Sequence, residues 1–242
     1  MKSVKEHYQQ HLGHFYSWMM GDFDARKNEQ KNFFQHQSIS PGRTGRALDL
    51  GCGHGIQSVA LAELGFSVTA VDFDETLLGE LATRKGALSI ETRACDLLTP
   101  SLYDQSTDVV VCMGDTLTHL PSKNQVRELL YLVSNSLVEN GQLVLSFRDL
   151  TQELEGDQRV FPVRADEQRI HTCLLEYFPN FVRVTDILHE REQGAWHMRV
   201  SSYAKLRLSA ALVSDYLREA GFVVVEQETI QRMIYLVASK KA

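Results

Sequence analysis

The order of apolar and polar positions predicts alternating buried strands and helices through the middle of the chain. Short β-branched runs without polar alternation lie at residues 47–50, 66–71, 88–92, 108–113 and 143–147. Such runs predict strands buried on both faces, and therefore a parallel sheet between helical layers. Helical periodicity separates them at residues 57–64, 75–84 and 126–138, and the first two helices end at a glycine.

The pattern changes after residue 150, where polar and apolar residues alternate. Residues 169–178, 182–190 and 195–206 predict an antiparallel layer of three strands joined by short loops. A helix at 210–220 and strands at 222–228 and 233–238 follow. We therefore predict an α/β fold with a Rossmann-like, seven-stranded, mostly parallel sheet, helices on both faces, an N-terminal helical lid and an inserted three-strand antiparallel layer.

We expect a single domain over residues 1–242. Its predicted parts are a helical lid (1–43), a ligand-binding core (44–150), the inserted strands (151–207), and the final helix and strands of the core (208–242).

The first 43 residues are polar and helical, yet they hold a cluster of rings that includes Tyr8, Phe15, Tyr16 and Trp18. The rings either pack a helix pair on the core or form a lid over a ligand. His7, His11 and His14 share helical spacing; an exposed helix face is favoured over a metal site, because no fourth ligand stands out. We predict no bound metal.

Composition narrows the class of protein. The chain is 43% hydrophobic and 23% charged, with a net charge of −6. The absence of a basic block argues against a nucleic-acid partner. No apolar run approaches the roughly 20 residues that span a bilayer, and the first seven residues lack the apolar core of a signal peptide. The four cysteines have no CxxC spacing, which favours free thiols in the cytoplasm. We expect a cytoplasmic monomer or homodimer that acts on a small molecule, without nucleic acid or membrane.

The candidate chemistry begins where the first strand ends, in the pattern Asp49-x-Gly51-x-Gly53-x-Gly55. Glycines at alternate positions allow a sharp turn and close approach of a ligand to the backbone. A dinucleotide site requires its third glycine at the position that Ile56 occupies, and the phosphate-loop pattern is absent. An acid before the turn suits a ligand with a positive charge, such as an amino-acid ammonium.

Four motifs in this order resemble those of class I S-adenosylmethionine-dependent methyltransferases. The first is the glycine turn, residues 49–55, and the second is residues 71–74. The third is residues 94–97, and the fourth, residues 112–115, ends the fourth strand. A glycine triplet alone is a weak signal, whereas four motifs at these spacings are a strong one.

The resemblance implies S-adenosyl-L-methionine as cofactor and assigns a role to each motif. The turn would hold the methionine end, Asp72 both ribose hydroxyls, and Asp96 the adenine amino group. An N-terminal tyrosine element, best matched by Tyr16, closes over the cofactor in related small-molecule enzymes of the ubiquinone/menaquinone, glycine and sugar-amine types. The full predicted set of cofactor-binding residues is Asp49, Gly51, Cys52, Gly53, Gly55, Asp72, Phe73, Cys95, Asp96, Leu97, Met113, Gly114 and Tyr16.

Candidates on the acceptor side come from three regions. Residues 114–120 resemble the G-N-S-x-x-H-L run of glycine and sugar-amine methyltransferases, with Asp115 in place of the usual Asn. His119 is a base, a cofactor contact or a structural group, and His119 and Tyr16 are the catalytic candidates. Arg148 could clamp a carboxylate or form a surface ion pair with Asp149 or Glu153. The predicted substrate residues are Asp115, Arg148, Trp18, Tyr8, Arg199 and Tyr203.

The inserted strands could wall the pocket or form a dimer. Alternation places His197, Arg199, Ser201 and Tyr203 on one face of the last strand, and the sequence does not say which face meets substrate.

We therefore predict an S-adenosylmethionine-dependent methyltransferase that transfers a methyl group to a small-molecule N or O nucleophile by in-line displacement. A non-catalytic cofactor-binding regulator or scaffold with the same fold is the alternative. A macromolecular substrate is disfavoured, because residues 114–117 lack the Asn/Asp-Pro-Pro-aromatic run of many protein and nucleic-acid methylases.

Overall fold

The structure is a computed structural model that describes residues 1–241. The chain divides into two compact units. The core unit comprises Asp22–Asp149 and the chain from Leu208 onward. The second unit, here called the insert unit, comprises Met1–Gly21 and Leu150–Arg207.

The core unit contains a seven-stranded sheet in the order β10-β11-β5-β4-β1-β2-β3. Strands β1 to β5 pair in parallel, and β11 runs antiparallel to both β5 and β10. This confirms the predicted seven-stranded, mostly parallel sheet. The strands are β1 (Arg46–Leu50), β2 (Ser67–Asp72), β3 (Ile90–Ala94), β4 (Thr107–Cys112), β5 (Leu137–Arg148), β10 (Phe222–Ile230) and β11 (Met233–Lys240).

Each of the five helices of the core unit begins at a residue suited to a helix N-terminus. Asp22, Asp74, Ser122 and Ser209 each accept a backbone N–H with the side chain, whereas the cap of the second helix is Gly55. The helices are α3 (Phe23–His36), α4 (Ile56–Glu63), α5 (Glu75–Arg84), α6 (Lys123–Ser136) and α7 (Ala210–Glu219).

The central strands carry the core of this unit. Every residue of β4 is buried, as the unbroken apolar run predicts. Leu61 and Leu81, from α4 and α5, are fully buried in the same unit. Strand β5 begins earlier than the predicted residue 143. Asn140 adopts φ 61, and β5 continues through it, so the strand begins at Leu137.

The insert unit contains an antiparallel sheet in the order β6-β7-β8-β9. The three predicted strands are present. The predicted number of strands is wrong, because the sheet has a fourth. The missed strand, β6, is a short edge strand with Pro162 inside it and a register shift beside that proline. Proline lacks a ladder donor and disguises an edge strand in sequence. The strands are β6 (Val160–Ala165), β7 (Arg169–Tyr177), β8 (Phe181–Glu192) and β9 (Ala195–Leu206).

Two short helices, α1 (Val4–Gln10) and α2 (Tyr16–Met20), complete the insert unit. The expected exposed histidine face is wrong, because His7 is fully buried and His11 is 6% exposed. The ring of His7 stacks on Tyr203 with centroids 4.2 Å apart, and its Nε2 lies 3.0 Å from Asp186 Oδ2. His171 Nε2 lies 2.8 Å from the other oxygen of Asp186, so one buried carboxylate joins α1 to the sheet.

Arg207, the last residue of the insert unit, forms hydrogen bonds with the first residues of the segment 150–207. Its Nε donates to the carbonyl of Leu150 at 3.1 Å and its Nη2 to that of Thr151 at 2.8 Å. Glu153 Oε1 forms an ion pair with Nη1 of the same guanidinium at 2.8 Å. The segment 150–207 is therefore closed at its base by one arginine.

Within residues 1–241 no helix has the length and apolar character that crossing a membrane requires.

Candidate functional site

The glycine turn connects the carboxyl end of β1 to the start of α4. The backbone N–H groups of Gly51 and Cys52 both donate to the carbonyl of Val71, at 2.8 and 2.9 Å. The turn is therefore fastened to the end of the neighbouring strand β2. Gly51 and Gly55 adopt φ 73 and φ 98, a left-handed region that favours glycine.

Space as well as backbone conformation requires two of these glycines. A Cβ on Gly51 would lie 2.3 Å from Thr116 Cγ2, and one on Gly55 would lie 2.2 Å from Leu81 Cδ1. Both distances are far below van der Waals contact. The glycines bring the turn close to the start of the 3-10 turn Thr116–His119 and to α5.

Asp49 lies at the carboxyl end of β1 and is 1% exposed. Its Oδ2 accepts the hydroxyl hydrogen of Ser58 at 2.5 Å. Ser58 is the third residue of α4, whose cap Gly55 has no side chain to offer. Asp49, on β1, therefore accepts a hydrogen bond from a side chain in the first turn of α4. Burial is the main cause that raises the pKa of Asp49 to about 7, with a further contribution from the charge of Asp72.

Asp72 lies at the carboxyl end of β2 and is 8% exposed. Its two oxygens accept backbone N–H groups, from Gly53 at 2.8 Å and from Asp74 at 2.9 Å. Burial raises its pKa, against the effect of these hydrogen bonds. Asp49 and Asp72 thus lie at the carboxyl ends of two adjacent strands, beside the turn. Burial makes the charged form of each carboxylate unfavourable. Such a pair is a candidate functional site, because a cationic or hydroxyl-donating ligand would compensate the cost of burying the two charges.

The end of β3 lies next to this pair in the sheet. The N–H of Cys95 donates to the carbonyl of Asp72 at 3.2 Å, which connects the two strand ends. Asp96 is exposed, and its Oδ1 accepts the N–H of Leu98 at 2.8 Å. Leu97 is half-buried, and its carbonyl accepts the hydroxyl of Tyr103 at 2.5 Å. Phe73, also half-buried, follows Asp72.

The end of β4 is built from two consecutive left-handed residues. Gly114 has φ 72 and Asp115 has φ 77, a conformation that aspartate and asparagine tolerate better than most side chains. Ser146 of β5 fixes this corner, since its hydroxyl accepts the N–H of Gly114 at 2.8 Å and its carbonyl that of Asp115 at 3.1 Å. Met113, which precedes the corner, is buried.

Asp115 holds Arg148 at the carboxyl end of β5. The carboxylate is 2% exposed; Oδ1 accepts the backbone N–H of Arg148 at 2.7 Å and Oδ2 pairs with its guanidinium Nη1. The side chain of Arg148 is 52% exposed. Asp115 is thus a partner for Arg148 that the sequence did not suggest. His119 is half-buried in the 3-10 turn that follows Asp115.

The structure brings together, within the core unit, every predicted cofactor residue except Tyr16. Asp115, His119 and Arg148 also lie in the core unit, whereas the other candidates, Tyr8, Tyr16, Trp18, Arg199 and Tyr203, belong to the insert unit. The rings of Tyr8 and Tyr16 lie 6.1 Å apart, and Trp18 Nε1 donates to Asp166 at 2.5 Å. Arg199 forms an ion pair with Glu190, and Tyr203 is buried under His7. Their role toward a ligand stays a prediction.

Three residues of the site were missed from the sequence: Ser58, Thr116 and Ser146. Ser58 carried a usable signal, because a serine in the first turn of a helix that glycine caps is placed to bind a nearby acid. Among the residues that the structure describes, no group of three or more His, Cys, Asp or Glu could hold a metal ion.

Comparison with known proteins finds a similar domain and similar folds. Residues 47–141 match the family described as a methyltransferase domain. A provisionally named methyltransferase of Geobacillus sp. (strain WCH70) is 25% identical over 221 residues, 89% of each chain. A glycine/sarcosine N-methyltransferase of Parasynechococcus marenigrum (strain WH8102) is 29% identical over 168 residues, 66% of this chain and 59% of that protein.

The fold is shared as well. The CcbJ methyltransferase of Streptomyces caelestis superimposes with a TM-score of 0.80 at 18% identity, covering 97% of this chain and 98% of the other. The family match covers the glycine turn, both buried carboxylates and the Gly114–Asp115 corner. Residues 47–141 therefore match a methyltransferase domain, and the fold of the chain is that of the class I methyltransferases.

Proposed function

We propose that the core unit binds S-adenosylmethionine along the carboxyl ends of β1 to β4 and transfers its methyl group to a small N or O nucleophile. The observation that carries the proposal is the pair of buried carboxylates, Asp49 and Asp72, beside the glycine turn. The cofactor has a cationic amino-acid end and two ribose hydroxyls, which are the groups that this pair requires.

Each strand end has a role in holding the cofactor. Asp72 accepts the ribose hydroxyls, because a carboxylate oxygen that already accepts one backbone N–H has a second lone pair. Asp49 and the turn hold the amino-acid end. Further along the sheet edge, Asp96 accepts from the adenine amino group. The other proposed cofactor contacts are Gly51, Cys52, Gly53, Gly55, Phe73, Cys95, Leu97, Met113, Gly114 and Tyr16.

The bound cofactor supplies an electrophilic methyl group on a sulfonium. The protein has to hold the acceptor in line with that methyl and exclude water. Alignment of two reactants contributes on the order of 7–11 kcal/mol. An amine that arrives neutral needs no strong base, whereas a hydroxyl does, and His119 is the candidate base in that case.

Arg148 is the proposed anchor for the acceptor. Its guanidinium is half exposed at the carboxyl end of β5, where ligands of open α/β sheets collect. The buried carboxylate of Asp115 orients it, and an oriented guanidinium recognises a carboxylate by two parallel hydrogen bonds. We therefore propose an acceptor that carries a carboxylate. Tyr8, Trp18, Arg199 and Tyr203 remain proposed substrate contacts from the insert unit.

Calorimetric titration with S-adenosylmethionine and S-adenosylhomocysteine tests the cofactor site. Asp72→Ala should weaken binding at least tenfold, about 1.4 kcal/mol. Asp108→Asn is the matched control, because Asp108 is also buried and accepts backbone N–H groups, from Gly42, Thr44 and Gly45, but at the amino end of β4. Absence of binding by the wild-type protein, or equal affinity in Asp72→Ala, would refute the proposal.

A turnover screen tests the transfer step. Carboxylate-bearing amines and alcohols are offered with S-adenosylmethionine, and release of S-adenosylhomocysteine is measured. Turnover of a small acceptor supports the proposed reaction. A protein that binds the cofactor tightly yet turns over no acceptor in such pools would instead be a cofactor-binding regulator.

A further inference from the structure

One buried hydrogen bond of the site joins the acid that precedes the glycine turn to the helix that follows it. Ser58 is fully buried and donates its hydroxyl to Asp49 at 2.5 Å. Its own backbone also favours the ionised form of that carboxyl, from the first turn of α4. Helix N-termini and hydroxyl donors both stabilise negative charge. Ser58 is therefore the group on which ionisation of Asp49 depends.

The other titratable groups facing Asp49 do not favour its charge. Asp72, from β2, is a like charge and raises the pKa of Asp49. Cys52 in the turn and Cys112 on β4 are buried thiols whose pKa values are raised, so they stay neutral. Burial and Asp72 therefore favour the protonated carboxyl, while Ser58 opposes them. Because the carboxyl is buried beside a second carboxylate and has one hydroxyl donor, we expect a protonated fraction of Asp49 in the ligand-free protein at neutral pH.

We propose that binding of the cationic end of the cofactor at the glycine turn expels a proton from Asp49, and that Ser58 is the positioning residue that governs this release. The inference rests on the proposed cofactor site. The O–H bond of the Asp49 carboxyl breaks, its electron pair stays on the carboxylate, and the proton passes to solvent. The resulting carboxylate faces the positive charge of the ligand. No other reactant is required.

The wild-type prediction follows from linkage between binding and protonation. Cofactor affinity should rise with pH through the region near 7, until the cofactor's own ammonium loses its proton and the rise ends. At pH 7 about half a proton should be released per cofactor bound. Calorimetry of S-adenosylhomocysteine binding in phosphate and in Tris measures this release, because the two buffers differ in ionisation enthalpy.

Ser58→Ala separates a positioning role from a merely structural one. Loss of one hydrogen bond to a charged group should move the midpoint of the pH profile upward by about one unit. The variant should bind several-fold more weakly at pH 7, and its difference from the wild type should shrink as the pH rises, because loss of the ligand's own charge affects both proteins equally. Asp49→Asn should remove this proton release, and any release that remains comes from the ligand's own amino group. Ser136→Ala is the control, since Ser136 is an equally buried serine that donates to the carbonyl of Val133.

The outcomes are distinct. A loss of affinity in Ser58→Ala that is the same at every pH would overturn the positioning role. Binding with equal enthalpy in both buffers would overturn the proton release. Failure of the wild-type protein to bind at any pH would instead refute the proposed cofactor site. Thermal unfolding of each variant shows that a changed profile comes from a folded protein.

Discussion

Gly55→Ala should destabilise the core unit by an amount that the structure allows us to calculate. Gly55 has φ 98, and a left-handed conformation costs an L-residue about 1–2 kcal/mol. The new Cβ would also lie 2.2 Å from Leu81 Cδ1 and 3.0 Å from its Cγ. Leu81 is fully buried, so relief requires repacking, which costs about 1–3 kcal/mol. The sum is about 2–5 kcal/mol.

Urea unfolding measures this loss against a matched control. Gly86→Ala has the same chemistry at φ 52, but nothing lies within 4 Å of its Cβ, so only the conformational cost of about 1–2 kcal/mol applies. Adding Leu81→Ala to Gly55→Ala should be non-additive, since the second change removes the clash. If the two glycine variants lose equal stability, or if the double variant is additive, the steric argument is wrong.

Two further predictions concern charge. Burial lowers the pKa of His11 to about 4, so the unfolded chain binds one more proton than the folded chain between pH 6.5 and 4. The free energy of unfolding should therefore fall as the pH decreases through this window. Urea unfolding at several pH values should show a flatter dependence for His11→Leu, and an unchanged dependence would contradict the prediction. Asp115→Asn keeps an oxygen that accepts the N–H of Arg148 and tolerates φ 77, but it removes the ion pair. The KM for the methyl acceptor should therefore rise about tenfold with little change in cofactor affinity. A matching loss of cofactor binding would instead indicate that Asp115 contacts the cofactor.

The glycine turn and the strand ends beside it could be predicted from the sequence because their determinants are local. The turn needs glycine where φ is positive and where Thr116 and Leu81 leave no room for a Cβ, so consecutive residues carry the signal. The position of Asp72 could be predicted because it is the last residue of a buried strand. The carboxyl ends of such strands share one edge of the sheet.

The rest depends on contacts between residues far apart in the chain. The pairing of Asp115 with Arg148 spans 33 positions, and that of His7 with Asp186 spans 179. Helical spacing alone made His7 and His11 resemble an exposed face, whereas packing on β8 and β9 buries them. Strand β6 was missed because its proline and exposed residues suggest a loop until β7 pairs with it.

The closure of segment 150–207 by Arg207 has a consequence for how this fold can vary. An insertion whose first and last residues are joined by hydrogen bonds enters and leaves its host at one point. Its length and sequence can then change without altering the distance between the residues that flank it. The segment that carries Arg199 and Tyr203 also packs against residues 1–21, through the contacts of His7 with Asp186 and Tyr203, so the two stretches have to be exchanged together. Grafting both from a relative tests whether this unit selects the acceptor.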